Sequence, residues 1–310
     1  MQLRLACLFA LVLAIAACTS EKPKTLPKVA AMDRWVAYYN DTLPASAFAE
    51  YDLVVFDREH HPDFSGLLGQ SKRPTILAYV SMGEVHGHEK ALRAMLREEG
   101  AILGKNERWN SYIVDITHPI WHAHLLDELL PDVVAQGFDG VMLDTLDSAL
   151  HAEGQDKAEL YLTAVQLIRE IRARYPQMRI MLNRGYEILP YVANSVDYAL
   201  AESVYFSYDP ATNVSTRQPS SATQPFVDIL QQARANAPKL QVFTLDYWHA
   251  EDSSGIFRVY KEQRGRGFIP YVATPDLRQL VPEPGDPAKH TPQPTTSRSN
   301  SDANTGMSHT

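Results

Sequence analysis

Residues 137–148, Gly-Phe-Asp-Gly-Val-Met-Leu-Asp-Thr-Leu-Asp-Ser, contain the pattern that decides the fold. A turn at residues 138–140 leads into the apolar run 141–143, which is typical of a strand buried on both faces. Asp144 follows at the carboxyl end of that run. Barrels of parallel strands hold functional groups at this end, where the strands keep them rigid. The stretch therefore predicts one barrel strand with Asp144 at its rim.

Similar apolar runs alternate with segments of helical periodicity along the chain. Helices are predicted at 89–99, 121–135, 160–175 and 226–235, and a long polar loop at 203–225. Strands are predicted at 35–39, 53–56, 75–80, 112–116, 141–143, 179–182, 198–201, 242–245 and 268–273.

This alternation predicts an α/β fold, a single-domain (β/α)8 TIM barrel over residues 32–281, close to the roughly 250 residues typical of that fold. Nine strands are one too many for the barrel. Only one barrel strand is expected between consecutive barrel helices, so the run at 112–116 is interpreted as an accessory strand. An open doubly wound sheet is the alternative, but no G-x-G-x-x-G turn follows the first strand to support it.

The first 18 residues are predicted to be a lipoprotein signal peptide. Arg4 precedes an apolar run too short to span a membrane, and Ile15-Ala16-Ala17-Cys18 resembles a bacterial lipobox. The resemblance implies cleavage before Cys18, lipidation of its thiol and anchoring in the cell envelope. Thr19 in place of Asp favours the outer membrane. The alternative is a plain secretory signal that contains a cysteine by chance.

Composition restricts the compartment and the partners further. Residues 19–31 read as a tether, and residues 282–310 as a disordered tail with almost no large apolar side chains. A net charge of -8 without a basic block argues against nucleic acid as a partner and against binding to an anionic membrane surface through charge. The only other cysteine, Cys7, lies in the signal, so the mature fold is predicted to have no disulfide and no thiol chemistry. No metal or cofactor is predicted, because the histidine-rich segments lack a metal-binding frame.

Acidic and amide side chains end several of the predicted strands, and aromatic side chains lie near them. In a barrel these ends converge on one rim, and carboxylates with aromatic rings, without a Ser or Cys nucleophile motif, predict chemistry on sugars. Asp147 and Arg184 follow two of the ends closely. The other candidate site residues are Tyr38, Asp57, Tyr79, Glu84, Asp144, Asn183, Glu202, Tyr205, Asp246, Tyr247 and Trp248.

Four segments on these strand ends resemble the successive signature blocks of glycoside hydrolase family 114, the endo-α-1,4-polygalactosaminidase family. They lie at residues 79–84, 137–147, 183–185 and 201–203, and the resemblance covers about residues 35–272. It implies a (β/α)8 barrel that cleaves internal α-1,4 bonds of galactosamine-containing polysaccharide. It also implies that Asp144 is the nucleophile and Glu202 the general acid/base.

Charge adds an expectation about the substrate. Asp57, Glu84, Asp147 and Asp246 exceed what catalysis needs and would attract the ammonium groups of deacetylated galactosamine. Arg184 departs from the small polar residue that is frequent in the family; it would oppose a cationic sugar, or instead bind a carboxylate or an acetyl carbonyl.

Other readings of these residues remain. Asp144 and Asp147 would also serve as helix caps, and Glu202 as a solvated turn residue. For the whole chain, the alternatives are a non-catalytic barrel that binds polysaccharide and a glycosidase of the same fold that acts on another glycan.

Overall fold

The computed structural model describes residues 32–285 except 210, 211 and 213. The predicted signal peptide, lipidation site and tether lie outside the described residues, as does the predicted tail from residue 286 onward. Among the described residues, no helix is both long and apolar enough to cross a bilayer.

Strands and helices alternate through most of the described chain. The strands are β1 Trp35–Tyr38, β2 Leu53–Phe56, β3 Thr75–Ser81, β4 Glu84–His86, β5 Ile102–Asn106, β6 Ser111–Val114, β7 Gly140–Asp144, β8 Arg179–Asn183, β9 Tyr198–Glu202, β10 Phe206–Asp209, β11 Val214–Arg217, β12 Gln241–Tyr247 and β13 Ile269–Ala273. The α-helices are α1 Ser65–Leu68, α2 Lys90–Glu98, α3 Pro119–Ala123, α4 Leu130–Ala135, α5 Leu146–Leu150, α6 Lys157–Arg174, α7 Leu189–Val192, α8 Ser220–Asn236 and α9 Ser253–Gly265.

Eight of these strands form a nearly closed parallel barrel, in the order β1-β2-β3-β7-β8-β9-β12-β13. Trp35 Nε1 donates to the Ile269 carbonyl at 3.1 Å, which ties the first strand to the last. The helices between the strands complete a (β/α)8 TIM barrel, so the predicted fold is confirmed. Its parallel strands are almost entirely buried, which explains their apolar runs.

Side chains along each barrel strand alternate between the interior and the surrounding helices. On β1, Trp35 points inward and contacts the rings of Phe243 and Tyr271. Tyr38, three residues on, points outward and packs against Phe48 at a ring distance of 5.1 Å. This alternation decides which of the residues at a strand end faces the barrel mouth.

The predicted accessory strand at 112–116 corresponds to β6, which stands outside the barrel as expected. It is the centre of a three-stranded antiparallel sheet, in the order β4-β6-β5, inserted between β3 and β7. This accessory sheet begins only three residues after β3 ends, so it lies at the carboxyl rim of the barrel.

Two predicted elements differ from the structure. The helix predicted at 121–135 is interrupted by one stretch of π-helix, His124–Leu129, between α3 and α4. The polar loop predicted at 203–225 contains an antiparallel hairpin, β10–β11, and the first residues of α8. The helix is predicted to begin at residue 226, after Pro225, but Pro225 lies inside α8.

At the opposite, amino-terminal ends of the strands, two acids have arginine partners. Arg73 grips Asp139 with two hydrogen bonds of 2.6 and 2.8 Å. Asp197 is 5% exposed and accepts bonds from Arg172 and Arg179. Such paired acids join neighbouring strands and helices and leave no carboxylate available for chemistry.

Candidate active site

The carboxyl ends of β7, β8 and β9 bring three polar side chains into direct contact. Asn183 Nδ2 donates to Asp144 Oδ1 at 2.6 Å and to Glu202 Oε2 at 2.7 Å. Because both carboxylate oxygens bond to one nitrogen, they lie within about 5.3 Å of each other. Two acids that are 58 positions apart in the sequence therefore face one another across the mouth of the barrel.

A sharp backbone turn follows each of these three strands. Thr145, Arg184 and Ser203 have φ angles of 61°, 56° and 53°, in the left-handed region that non-glycine residues avoid. Each turn takes the chain away from the rim directly after the strand. Thr145 is the N-cap residue of α5 and makes no side-chain capping bond, while the Asp144 carboxylate binds Asn183. The helix-cap reading of Asp144 is therefore wrong.

Three tyrosines surround the two carboxylates. Tyr247 donates its hydroxyl proton to Glu202 Oε1 at 2.8 Å, and the Tyr79 hydroxyl is hydrogen-bonded to Asp144. The ring of Tyr39 contacts that of Tyr79 at 5.4 Å. Burial and the nearby carboxylates raise the pKa of all three phenols well above the usual value, so they remain neutral hydrogen-bond donors.

Asp144 has an unusual affinity for protons. Loss of contact with water and the charge of Glu202 raise its pKa from 3.8 to about 7, although hydrogen bonds from Thr145 and Asn183 oppose the rise. Asp144 therefore holds a proton to a higher pH than an ordinary aspartate does, because ionising it beside a second carboxylate is costly.

Beyond β8 lies a pair of opposite charges, which we call the β8 flank and define as Asp147 and Arg184. Arg184 Nη1 and Asp147 Oδ2 are 3.0 Å apart. Burial would lower the pKa of Arg184, but the carboxylates of Glu202 and Asp147 outweigh that effect and raise it. The guanidinium therefore stays charged beside Glu202.

On the β3 side of Asp144, an open groove is lined by Tyr79. Four carboxylates and one guanidinium line it, so we call it the acidic groove. Glu84, the first residue of β4, is 4% exposed and accepts bonds from Asn106 of β5 and Ser111 of β6, which join the three strands of the accessory sheet. The charged and histidine side chains that line the groove are Asp57, Arg58, Glu59, His60, Glu84, His86, His88, Glu89 and His124. Within the described part of the chain, no group of three or more His, Cys, Asp or Glu side chains is arranged to hold a metal ion.

Three predicted site residues point away from the mouth. Tyr38 is fully buried, and its hydroxyl pairs with Thr42 at 2.9 Å, so the assignment of Tyr38 to the substrate site is wrong. Asp246 is also fully buried and accepts the backbone N–H groups of Tyr205 and Phe206. It anchors the β10–β11 hairpin on the helix-facing side of β12 and cannot contact substrate.

Tyr205 is the third of these residues. It is 2% exposed, and the guanidinium of Arg266 lies 4.6 Å above its ring, so it is a packing residue. Trp248 packs edge-on against Phe206 and donates its indole N–H to Asp252. Its predicted contact with a sugar stays a prediction.

The sequence reasoning missed Tyr39, the residue that faces the charges of Asp144, Glu202 and Asp57. Tyr39 shares the inward side of β1 with Trp35, whereas Tyr38 does not. The apolar run of β1 does not reveal which side faces inward, so the choice between the two tyrosines requires the structure.

The family model described as glycoside-hydrolase family GH114 matches residues 15–289, which is most of the chain. The chain belongs to family GH114. As a GH114 member it is a glycoside hydrolase, and the resemblance predicted from its four motifs is confirmed.

Solved structures with the same fold come from two other organisms. The glycoside hydrolase domain of PelA from Pseudomonas aeruginosa is 24% identical, with a TM-score of 0.73, 83% of this chain covered and 100% of that one. Ega3 of Aspergillus fumigatus, solved in complex with galactosamine, is 15% identical, with a TM-score of 0.60 and coverages of 82% and 96%. An uncharacterised protein of Deinococcus radiodurans is 25% identical over 274 residues, 84% of this chain and 86% of that protein.

Proposed function

We propose that this GH114 enzyme cleaves internal α-1,4 bonds of a galactosamine-containing polysaccharide with retention of configuration. The observation that carries the mechanism is the shared nitrogen of Asn183, which holds the Asp144 and Glu202 oxygens within about 5.3 Å. Retaining glycosidases place their two carboxyl groups about 5 to 5.5 Å apart, whereas inverting enzymes need a larger gap of about 6.5 to 9.5 Å to admit a water molecule.

In the proposed reaction Asp144 is the nucleophile and Glu202 the general acid/base. Asp144 attacks the anomeric carbon while Glu202 protonates the departing glycosidic oxygen, which gives a covalent glycosyl-enzyme and a free chain end. Glu202, now ionised, then takes a proton from water as the water attacks the same carbon and releases Asp144. The positive charge that develops on the sugar favours ionised Asp144, and the reaction requires that Glu202 carry the proton given to the leaving oxygen.

The galactosamine preference is supported by the family, by the galactosamine bound in Ega3, and by the excess of carboxylates in the acidic groove. Negative potential in a cleft concentrates cationic ligands such as deacetylated amino sugars. The groove is lined by Tyr79, whose hydroxyl is hydrogen-bonded to Asp144, and by residues of the accessory sheet, which suits an enzyme that binds several consecutive sugars of an internal segment.

The proposal is tested with purified protein and an α-1,4-linked galactosamine polymer. Wild type is expected to release new reducing ends whose first-formed anomer is α by NMR, while Glu202→Gln and Asp144→Asn release none. A first-formed β anomer would overturn retention, and an unchanged rate in Asp144→Asn would remove Asp144 from the reaction.

The proposed location is the cell envelope, with a lipid on Cys18 and the outer membrane as the target. Its support is the lipobox-like Ile15–Cys18 segment and Thr19. Cys18→Ser is expected to move the full-length protein from the detergent phase to the aqueous phase after expression in a Gram-negative host. Continued partition of the Cys18→Ser protein into detergent would contradict the proposal.

A further inference from the structure

The two sides of the proposed catalytic pair, Asp144 and Glu202, differ in charge. The acidic groove carries the carboxylates of Asp57, Glu59, Glu84 and Glu89 against the single guanidinium of Arg58. The β8 flank carries one acid and one guanidinium, so it is neutral overall and presents a cation close to Glu202. A polysaccharide that crosses the mouth therefore meets different electrostatic environments on the two sides.

The β8 flank holds its guanidinium in place. The backbone of Arg184 is fixed by its N–H bond to the Leu200 carbonyl at 2.9 Å, and one guanidinium nitrogen is fixed by Asp147. Among the described residues, no protein acceptor meets the remaining guanidinium donors, and the side chain is 38% exposed. Those donors are available to a ligand in the mouth.

A guanidinium discriminates between the two forms of the amino group at carbon 2 of galactosamine. It repels the ammonium of a free amine, and it donates well to the carbonyl oxygen of an N-acetyl group, which is planar and uncharged. On the opposite side the acidic groove favours the free amine. We propose that Arg184 selects an N-acetylated galactosamine on the β8 flank, so that the enzyme cleaves a partly deacetylated polymer rather than a fully deacetylated one.

This inference rests on the proposed function, and its test reports on the sugars beside the cleaved bond. The substrates are one α-1,4 galactosamine polymer in three forms: fully deacetylated, re-acetylated at about half of its sugars, and fully acetylated. Cleavage in ¹⁸O-labelled water marks each new reducing end, and mass-spectrometric sequencing then reads the acetylation of the sugars on both sides of the cut.

With the half-acetylated polymer, the ratio of N-acetylated to free sugars at one of the two flanking positions is expected to rise about tenfold above the random ratio of about one to one, the low end of what a charged hydrogen bond contributes. Arg184→Asn is expected to abolish that enrichment and to raise cleavage of the fully deacetylated polymer relative to the half-acetylated one. Asparagine tolerates the left-handed backbone, so this variant is expected to fold.

Two further variants separate recognition from a structural role. Arg184→Lys keeps the charge without the planar fork, so it is expected to continue to exclude the free amine while it loses affinity for acetylated oligomers. Asp147→Asn removes the compensating acid and is expected to increase the enrichment. Lys239→Gln removes an exposed cation in the loop before β12, at the opposite end of the barrel, and is the matched control with unchanged cleavage sites.

The outcomes distinguish a failure of this inference from a failure of the proposed function. Cleavage with random acetylation at both flanking positions, unchanged in Arg184→Asn, overturns the role of Arg184 and leaves the hydrolase proposal intact. A preference for free amines on both sides overturns it in the same way. No cleavage of any of the three polymers overturns both proposals.

Discussion

Asp144 and Asp246 are aspartates near the ends of two barrel strands, and burial raises the pKa of each to about 7. Only Asp144 reaches the barrel mouth. Asp144 is the last residue of β7 and points inward, where it meets Asn183. Asp246 is the next-to-last residue of β12 and points outward, where it holds the backbone of Phe206.

The difference between the two aspartates is one position along a strand. Successive side chains of a strand point to opposite faces, so a shift of one residue exchanges the barrel mouth for the helical layer. A raised pKa therefore does not identify a catalytic acid by itself. The identification requires the direction of the side chain and the presence of a second carboxylate, which Asp246 lacks on the mouth side.

The sharpest test replaces each aspartate by asparagine and compares the two activities. Asp144→Asn is expected to lower kcat/KM by roughly 10⁴-fold, because the proposed nucleophile is lost. Asp246→Asn is expected to lower it by less than about tenfold, below the range of a lost catalytic group. The comparison fails if the two variants lose activity equally while circular dichroism shows both folded.

One of these aspartates, Asp246, also predicts how stability depends on pH. The folded-state pKa of Asp246 lies above its unfolded value of 3.8, so the folded state binds the proton more tightly. The contribution of Asp246 to the free energy of unfolding is fully present below about pH 4. It falls by up to about 4 kcal/mol as the pH rises towards 7. In Asp246→Asn, this part of the pH dependence should disappear from urea unfolding curves measured between pH 4 and 8. If the unfolding free energies of variant and wild type changed with pH in parallel, the raised pKa of Asp246 would be contradicted.

Asn183 joins Asp144 to Glu202 through hydrogen bonds, which Asp246 does not have. Removing Asn183 tests whether the role of Asp144 depends on this link. Asn183→Ala is expected to lower kcat by roughly 10²-fold, because the two carboxylates lose their common donor and their fixed spacing. The Asn183 bond holds the pKa of Asp144 down, so the variant's pKa should be higher. The acidic limb of the pH–kcat profile should therefore move to higher pH. An unmoved limb would mean that Asp144 is not the group that must ionise.

The adjacent residues Tyr38 and Tyr39 repeat the comparison on β1 with the smallest expected effects. Tyr38→Phe loses the hydroxyl bond to Thr42 and should cost about 1 kcal/mol of stability with unchanged activity. Tyr39→Phe should leave the unfolding free energy nearly unchanged and lower kcat/KM, since its hydroxyl faces the catalytic carboxylates. Thermal melts and initial rates on the same four proteins, including wild type and the double variant, measure both quantities.

The barrel and the presence of Asp144, Asn183 and Glu202 at its rim were predictable from the sequence because each depends on a local signal. Buried parallel strands produce continuous apolar runs, and the acid or amide after each run marks the carboxyl rim, as for Asp144, Asn183 and Glu202. These signals survive without knowledge of the tertiary structure. The assignment of 112–116 to a separate sheet also followed from counting strands against the eight that a barrel holds.

The direction of side chains near strand ends was not predictable in the same way. A continuous apolar run has no alternation to read, so nothing in Leu245-Asp246-Tyr247 reveals which side faces the mouth. The β10–β11 hairpin was missed because its strands are short and largely polar, and Asp246 beneath it supplies the anchoring that a hydrophobic face usually gives. Both errors concern tertiary contacts that the local sequence does not encode.

The left-handed residues Thr145, Arg184 and Ser203 have a consequence for how the enzyme responds to heat. Conformations of this kind cost roughly 1 to 3 kcal/mol each and persist only while their surroundings enforce them. These strained positions are concentrated at one rim, whereas no residue within the eight buried barrel strands has a positive φ angle. On warming, the rim is therefore expected to relax before the strands separate, so that catalysis ceases at a temperature where the barrel is still folded.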